Sequence, residues 1–310
     1  RALPLSKGVC RTMKRFGEML KDGRCREDFR QFVRFAVGYC AILVLAYLVL
    51  CQINLTLSKE EMGRFSYVAG LVTIVMPILY VAAPQAYLRF HDNHAVSKRL
   101  RRMMLPLFAI SAVGIGAIVW WKTGSVFALV YAAYPFFNER LFILRSQMRI
   151  GAVNAMKAAE LAVPFLGILI FSRVFTIDAA AVLAFYGLGY AVSFAFPLRL
   201  KDGESPDRRT MTRFLVPVVF TTLIAALIEN LTVVMGKSLL GYEAAAQIGV
   251  AARNLIFIKA LFSLLQMLYP VVYFREIKLR HWRTVRLYRG FILSIATVAV
   301  GGMIVFAPIL

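Results

Sequence analysis

The chain has 310 residues, of which 60% are apolar and only 17% are charged, and its mean hydropathy is +0.70. A soluble domain carries roughly half apolar residues and about a quarter charged residues, so the composition excludes an ordinary soluble domain. The formal net charge of +21 would suit a nucleic-acid-binding protein, but a basic patch on such a protein would not alternate with hydropathy, as the basic residues of this chain do.

The apolar residues are gathered in runs of about 18–25 residues, the length needed to cross about 30 Å of hydrocarbon. The sequence therefore predicts an all-α, polytopic transmembrane protein. Nine spans are predicted, at residues 32–54, 65–88, 103–121, 126–144, 158–172, 179–198, 214–236, 245–270 and 287–310. The ninth run continues to the last residue, so we expect further spans after Leu310.

The basic residues alternate with the predicted crossings. Of the 37 Lys and Arg residues, 29 lie in the N-terminal arm and in the loops after even-numbered spans, and only 5 lie in the loops after odd-numbered spans. This asymmetry is the positive-inside pattern of membrane proteins. It predicts a cytoplasmic N-terminus and argues against a nucleic-acid partner.

The predicted domain organisation follows from the loops and from a faint internal repeat. Residues 1–31 form a basic cytoplasmic arm, 32–198 a first six-helix bundle, 199–213 a cytoplasmic connector, and 214–310 the first three helices of an incomplete second bundle. Nine of the eleven prolines fall inside predicted spans. They indicate either bent helices around a cavity or simply the higher frequency of proline in membrane helices.

Three segments together resemble a known family. They are "LSKEEMGRFSYVAGLVTIV" after the first span, "MTRFLVPVVFTTLIAALIENLTVVMGKSLLGYEAAAQIGVAARNL" around the seventh, and "LYPVVYFRE" at the end of the eighth. The pattern is similar to the oligosaccharide-lipid flippases of the multidrug/oligosaccharidyl-lipid/polysaccharide exporter superfamily. One departure is that Gly63 has its counterpart at Ala246, and Ile248 stands where the family has a tyrosine.

The resemblance implies a two-bundle transporter in a bacterial inner membrane, working by alternating access. Such a protein moves a polyprenyl-diphosphate-linked oligosaccharide from the cytoplasmic to the outer leaflet for surface polysaccharide assembly. It would be no enzyme and would need no cofactor, its partners being the lipid-linked glycan, membrane lipids and a coupling H⁺ or Na⁺. A diphosphate needs cations to replace its water, which directs attention to the basic residues inside the spans.

Polar residues deep in a span usually face a wet interior, because a charge at mid-bilayer costs about 2.5–3.5 kcal/mol. The predicted substrate-binding residues are Lys259, Arg253, Arg34, Asn230, Ser263 and Gln266. Lys259, Ser263 and Gln266 recur on one face of the eighth span, and Lys259 is too deep to reach water easily. Arg253 and Arg34 lie nearer to span ends, where binding a phosphate and anchoring the helix are both open.

In the seventh span, Thr222, Ala225, Ala226 and Glu229 share a small polar face, with Asn230 on its edge. Glu229 either couples transport to an ion or neutralises Lys237 or Arg253. Two further expectations concern the first bundle. Glu139 and Arg140 are expected to form an interfacial pair, and Glu160 to reach the membrane surface by snorkelling.

Other functions remain open at this point. The alternatives are a drug or cation antiporter of the same superfamily, a membrane-embedded enzyme, and a non-transporting protein of envelope assembly. Basic residues outnumber acidic ones inside the spans, which disfavours the antiporter, and the short outer loops disfavour the enzyme. The four cysteines lack CxxC spacing, so neither a disulfide framework nor a metal site is expected.

Overall fold

The computed structural model describes residues 23–91, 95–203 and 206–254. Within these ranges the chain forms nine α-helices, namely α1 (Gly23–Thr56), α2 (Lys59–Leu79), α3 (Ala83–Arg89), α4 (Lys98–Thr123), α5 (Tyr134–Ser146), α6 (Ile150–Phe171), α7 (Ala179–Ala191), α8 (Arg208–Leu240) and α9 (Tyr242–Asn254). Two 3₁₀ segments, Phe127–Ala133 and Val192–Ala195, and two short strands, β1 (Val96–Ser97) and β2 (Leu200–Lys201), complete them. The predicted all-α class is confirmed.

Five of the described helices are long and apolar enough to cross a membrane: α1 from Val37, α2, α4, α6 and α8. The predicted first seven spans all coincide with helical segments, and α9 begins the eighth. The rest of the eighth span and the whole ninth lie outside the described residues. The total of about nine spans therefore stays a prediction.

Side-chain caps account for where several helices begin. Ser58 and Ser97 precede α2 and α4, and each hydroxyl accepts a hydrogen bond from a backbone N–H of the first turn. Asp178 does the same for α7 and Asp207 for α8, each through a carboxylate oxygen. These bonds satisfy N–H groups that have no partner within the helix.

Three predicted spans, the second, the fourth and the sixth, are not single α-helices. The sixth passes from α7 into the 3₁₀ segment Val192–Ala195. The second span breaks between α2 and α3, where Val81 and Ala82 both have a φ of 50°, and Pro84 lies in the first turn of α3. The fourth starts as a 3₁₀ segment before Pro135 opens α5. Proline is tolerated in a first turn, because its missing N–H would have no helical partner there.

Helix α2 is the central element. It packs against α4 and α7 of the first six spans and, on another side, against α8 and α9. Helix α1 packs instead on α6. The apolar stretch of α2 is 56% buried and that of α8 only 11%, so α2 is enclosed by protein while most of α8 offers apolar side chains to its surroundings.

Glycines allow two of these contacts to be unusually close. A Cβ built on Gly63 of α2 would lie 1.9 Å from the backbone oxygen of Tyr242 at the start of α9. One built on Gly187 of α7 would lie 2.4 Å from the backbone nitrogen of Tyr131. Small residues at such crossings let helices in membranes approach to backbone contact.

The two ends of the bundle differ. At one end, called the basic end below, β1 and β2 pair in parallel, with Val96 opposite Leu200. The ladder is reinforced by a hydrogen bond from Ser97 Oγ to the Gly203 carbonyl and by an ion pair between Lys98 and Asp202. At the opposite end, the Glu61 carboxylate accepts a hydrogen bond from the backbone N–H of Ala179, which joins the starts of α2 and α7.

Candidate functional site

The structure describes only part of the predicted site. Lys259, Ser263 and Gln266 lie outside the described residues. Arg34 and Arg253 belong to helices α1 and α9, but their side chains are also outside the description. Glu229 and Asn230 on α8 are the two predicted site residues whose surroundings can be examined.

Asn230 lies at the crossing of α8 and α2. Its Cβ and Oδ1 are 3.6 Å and 3.8 Å from the position of a Cβ on Gly70, so the amide rests against the bare backbone of α2. Its Nδ2 donates a hydrogen bond to the Ala226 carbonyl one turn earlier, at 3.0 Å. Thr222 lies on the same side of α8 and donates to the Val218 carbonyl. The polar face of the seventh span therefore points in part toward α2.

Glu229 lies beside this crossing and is exposed, as is Ala225, so the predicted four-residue face is divided between packed and open positions. Tyr134 of α5 lies within electrostatic range of both Glu229 of α8 and Glu160 of α6. Lys237 lies eight residues further along α8, about 12 Å away along the axis, and its ammonium contacts tyrosine rings instead.

An aromatic cluster lies in the same region of the first six spans. The rings of Tyr131, Tyr134 and Phe137 surround that of Tyr190, with centroid separations of 5.4, 4.9 and 5.1 Å. These residues belong to one 3₁₀ segment and to helices α5 and α7. Three of the four carry a hydroxyl, so the cluster combines tight packing with hydrogen-bonding capacity.

A buried ion pair adjoins this aromatic cluster. Lys157 Nζ and Glu160 Oε2 of α6 are 2.7 Å apart, and their side chains are only 23% and 13% exposed. Lys157 Nζ is also 5.1 Å from the Phe137 ring centroid. The Glu160 carboxylate is thus paired with a lysine one turn away. That Glu160 reaches the membrane surface stays a prediction.

A second buried charge lies nearer to the basic end. Glu139 of α5 is 1% exposed and accepts hydrogen bonds from Arg101 Nε at 2.8 Å and from the Tyr87 hydroxyl at 3.4 Å. The expected pair of Glu139 with Arg140 is wrong. Arg140 donates to the Phe196 carbonyl and stacks its guanidinium 4.8 Å from the Phe194 ring, so consecutive residues point to different sides of α5.

Sequence reasoning missed the aromatic cluster and the Arg101 pairing. The spacing of Tyr131 and Tyr134 (three residues), and of Tyr186 and Tyr190 (four residues), does place each pair on one helix face. This spacing is the sequence pattern from which the aromatic cluster could have been predicted. Nothing in the sequence links Arg101 to Glu139, which are 38 residues apart and meet only because α4 packs on α5.

Comparison with protein families, curated proteins and solved structures finds no match for this chain. Its class is therefore defined by the structure: a helical protein with five described helices able to cross a membrane. Polar and ionisable side chains lie within helices where α5, α6 and α7 pack together and where α8 crosses α2. Such residues are costly in lipid and are usually retained for a function inside the bundle.

Proposed function

We propose that this chain is a transporter of the bacterial inner membrane that flips polyprenyl-diphosphate-linked oligosaccharide from the cytoplasmic to the outer leaflet. In this proposal the N-terminus is cytoplasmic, and the first six spans and the helices after the connector are the two bundles of an alternating-access fold. The proposal is supported by the charge alternation, by the three segments that resemble the flippase family, and by the polar groups at mid-helix.

The observation that carries the proposal is the position of the polar part of α8. Asn230 packs on α2, and the adjacent Glu229 lies within electrostatic range of Tyr134 of the first six spans. Both residues belong to a helix long enough to cross a bilayer. A polar face between two sets of helices is where transporters hold a substrate, whereas a structural scaffold has no need for it.

The proposed chemistry divides between cations and an acid. A diphosphate leaving water needs donors and positive charge, which Lys259, Arg253 and Arg34 would supply along the cavity. Asn230, Ser263 and Gln266 would donate hydrogen bonds to the phosphates or sugars. Glu229 would exchange a proton or a sodium ion as the bundles move, because it is an exposed carboxylate within a helix long enough to cross a bilayer.

The interrupted second span suits this mechanism. Helix α2 contacts both sets of helices, and it ends at the left-handed residues Val81 and Ala82. A non-glycine residue held at positive φ costs about 1–3 kcal/mol and is typical of segments that change conformation. The break would let α2 change its angle to α3 as the two bundles move.

The test is complementation of a flippase-null strain by variants of Lys259, normalised to the amount of protein in the membrane. Lys259→Gln keeps length and hydrogen bonding but loses the cation, so it should abolish surface-polysaccharide export. Lys259→Arg should retain part of the activity. The matched control is Lys59→Gln, which removes one exposed cation at the opposite end and should export normally. Full export by folded Lys259→Gln would refute the cationic cavity.

A structural ion pair between Glu229 and Lys259 makes a different prediction. Both single neutralisations would then lose protein, since breaking a buried pair costs about 3–5 kcal/mol, and the double variant would recover it. A transport role predicts folded, inactive single variants that the double variant does not rescue. If wild-type chain exported a cationic drug but no glycan, the antiporter alternative would replace the flippase.

The orientation is tested by labelling single cysteines in a variant lacking the native cysteines Cys10, Cys25, Cys40 and Cys51. Ser238 and Lys201 are exposed at the opposite end and the basic end, respectively. A cysteine at Ser238 should react with a membrane-impermeant thiol reagent applied to whole cells, and one at Lys201 should react only after lysis. Labelling of the Lys201 position in intact cells would overturn the proposed orientation.

A further inference from the structure

Three cationic side chains from three helices converge on two tyrosines at the opposite end of the bundle. Lys237 Nζ of α8 is 5.1 Å from the Tyr67 ring centroid and 5.2 Å from that of Tyr242. Lys122 Nζ of α4 is 5.6 Å from Tyr67, and the Arg64 guanidinium of α2 is 5.7 Å from Tyr242. The two rings meet edge to face at 6.1 Å. We call these five residues the lysine–tyrosine cluster.

The positive charge of this cluster is only partly balanced. Arg64 forms ion pairs with Glu60 at 3.7 Å and Glu61 at 3.3 Å. In the described part of the chain, neither Lys122 nor Lys237 has a carboxylate within 4 Å. Two ammonium groups from separate helices are thus held at one ring, and their like charges interact unfavourably even near a surface.

Each lysine comes from a different part of the fold. Lys122 ends α4, within the first six spans, and Lys237 lies in the last turn of α8, after the connector. Tyr67 lies between them on α2 and is 8% exposed. The side chains of both lysines are only partly buried, so their ammonium groups can still meet a ligand from the membrane surface. The cluster therefore spans the junction between the two sets of helices.

We propose that the lysine–tyrosine cluster binds a phosphate or diphosphate group at this membrane surface, with Lys122 and Lys237 as its charged contacts. A multivalent anion relieves the repulsion between the two ammonium groups and accepts a charge-assisted hydrogen bond from each. The tyrosines hold the lysine stems apart and exclude water from one side of the anion. In terms of the proposed function, on which this extension rests, the site would hold the diphosphate of the lipid carrier as it leaves the transporter.

The test measures ligand-induced stabilisation of the full chain in detergent. The probes are inorganic pyrophosphate, farnesyl diphosphate and farnesol, each titrated while the unfolding temperature is followed. Pyrophosphate and farnesyl diphosphate should both raise the unfolding temperature, and farnesol should not. Tighter binding of farnesyl diphosphate would identify a lipid headgroup as the ligand, and equal binding would identify free phosphate compounds. Stabilisation by farnesol equal to that by farnesyl diphosphate would overturn the proposal.

Variants assign the binding to this cluster. The double change Lys122→Gln with Lys237→Gln should weaken pyrophosphate binding by at least about tenfold, because it removes two charge-assisted contacts. Lys237→Arg keeps the cation and should retain most of the affinity. The matched control, Lys59→Gln, lies at the same end but outside the cluster and is exposed. An equal loss in Lys59→Gln would overturn the proposal, since the effect would then be general surface charge.

A fluorescence signal distinguishes binding at the lysine–tyrosine cluster from binding in the proposed central cavity, which contains Lys259. Lys122 Nζ also lies 3.4 Å from the Trp121 ring centroid. Anion binding that draws Lys122 away should change the indole fluorescence, and Trp121→Phe should remove that change without removing stabilisation. Lys59→Gln should leave the fluorescence change unaltered. Export is measured separately by complementation, so failure of the flippase proposal is distinguished from failure of this site. Binding that persists in the double lysine variant but is lost in Lys259→Gln would overturn the assignment to this cluster.

Discussion

Replacing Gly63 by alanine tests the junction of α2 with α9. The new Cβ would lie 1.9 Å from the backbone oxygen and 2.6 Å from the carbonyl carbon of Tyr242, whereas real Cβ atoms essentially never come within 3.0 Å of another heavy atom. The obstacle is backbone, so no side-chain rotation can relieve it. Helix α9 must retreat by at least about 1.1 Å, which would loosen its packing on α2.

The expected cost follows from two opposing terms. Overpacking a close contact costs about 1–3 kcal/mol, and a clash with backbone belongs at the upper end of that range. Alanine in place of glycine returns up to about 1 kcal/mol through helix propensity. We therefore expect Gly63→Ala to reduce the free energy of unfolding by about 2 kcal/mol.

The assay is reversible unfolding in detergent, compared with that of Gly151→Ala. Gly151 lies in the first turn of α6, and a Cβ there meets no atom within 4 Å. That control should be neutral or slightly stabilising, because only the propensity term remains. If Gly63→Ala proved as stable as Gly151→Ala, the close approach of α2 and α9 would be wrong.

Three further predictions use the same unfolding measurement. Glu139→Gln should cost about 2–3 kcal/mol, toward the low side for a buried pair, because Arg101 is 28% exposed and can be hydrated again. The matched change in a surface pair, Asp202→Asn, should cost less than about 1 kcal/mol. Equal costs would contradict the buried pairing of Glu139 with Arg101. Gly124→Ala should cost about 1 kcal/mol from backbone strain alone, since the φ of Gly124 is 66° and a Cβ there would meet nothing within 4 Å. A variant as stable as the wild type would refute the left-handed cap at the end of α4. Asp207 accepts hydrogen bonds from Thr210 that lower its pKa from the usual 3.8. Its contribution to the free energy of unfolding is therefore complete above that pH and is lost as the pH falls through the lower pKa of the folded protein. Asp207→Asn should remove this part of the loss of stability in acid, and an unchanged dependence of stability on pH would show that the cap is not formed.

Hydropathy predicted the positions of the long apolar helices, because every residue of such a run contributes to its mean hydropathy. It could not place the interruption at Val81 and Ala82. The prolines at positions 77 and 84 both lie in the predicted second span, but only Pro84 adjoins the break, whereas Pro77 is accommodated within α2. Which proline interrupts a helix depends on whether neighbouring helices can satisfy the freed carbonyls, and this is a property of packing.

The polar interior was predictable only where its partners are close in sequence. Lys157 and Glu160 are one turn apart, and their spacing alone would permit the ion pair found between them. Glu139 and Arg101 come together through the packing of α4 on α5. The sequence suggested the adjacent Arg140 as the partner of Glu139, but Arg140 donates to the Phe196 carbonyl instead. Helical periodicity predicts a polar face on α8, and Asn230 on the edge of that face packs on α2. It did not show which neighbouring helix that face would meet.

The β1–β2 ladder has a consequence for how far α8 can travel. If the connector of residues 199–213 were an unstructured linker, its 15 residues could extend over roughly 50 Å. The ladder fastens its first part to the start of α4, through the pairing of Ser97 with Lys201 and the hydrogen bond from Ser97 to the Gly203 carbonyl. Because Gly203 and Arg208 are five residues apart in the sequence, the start of α8 cannot lie more than about 18 Å from Gly203. The basic end of α8 is thus tied to the start of α4, so a tilt of α8 relative to the first six spans would displace its opposite end more than its basic end.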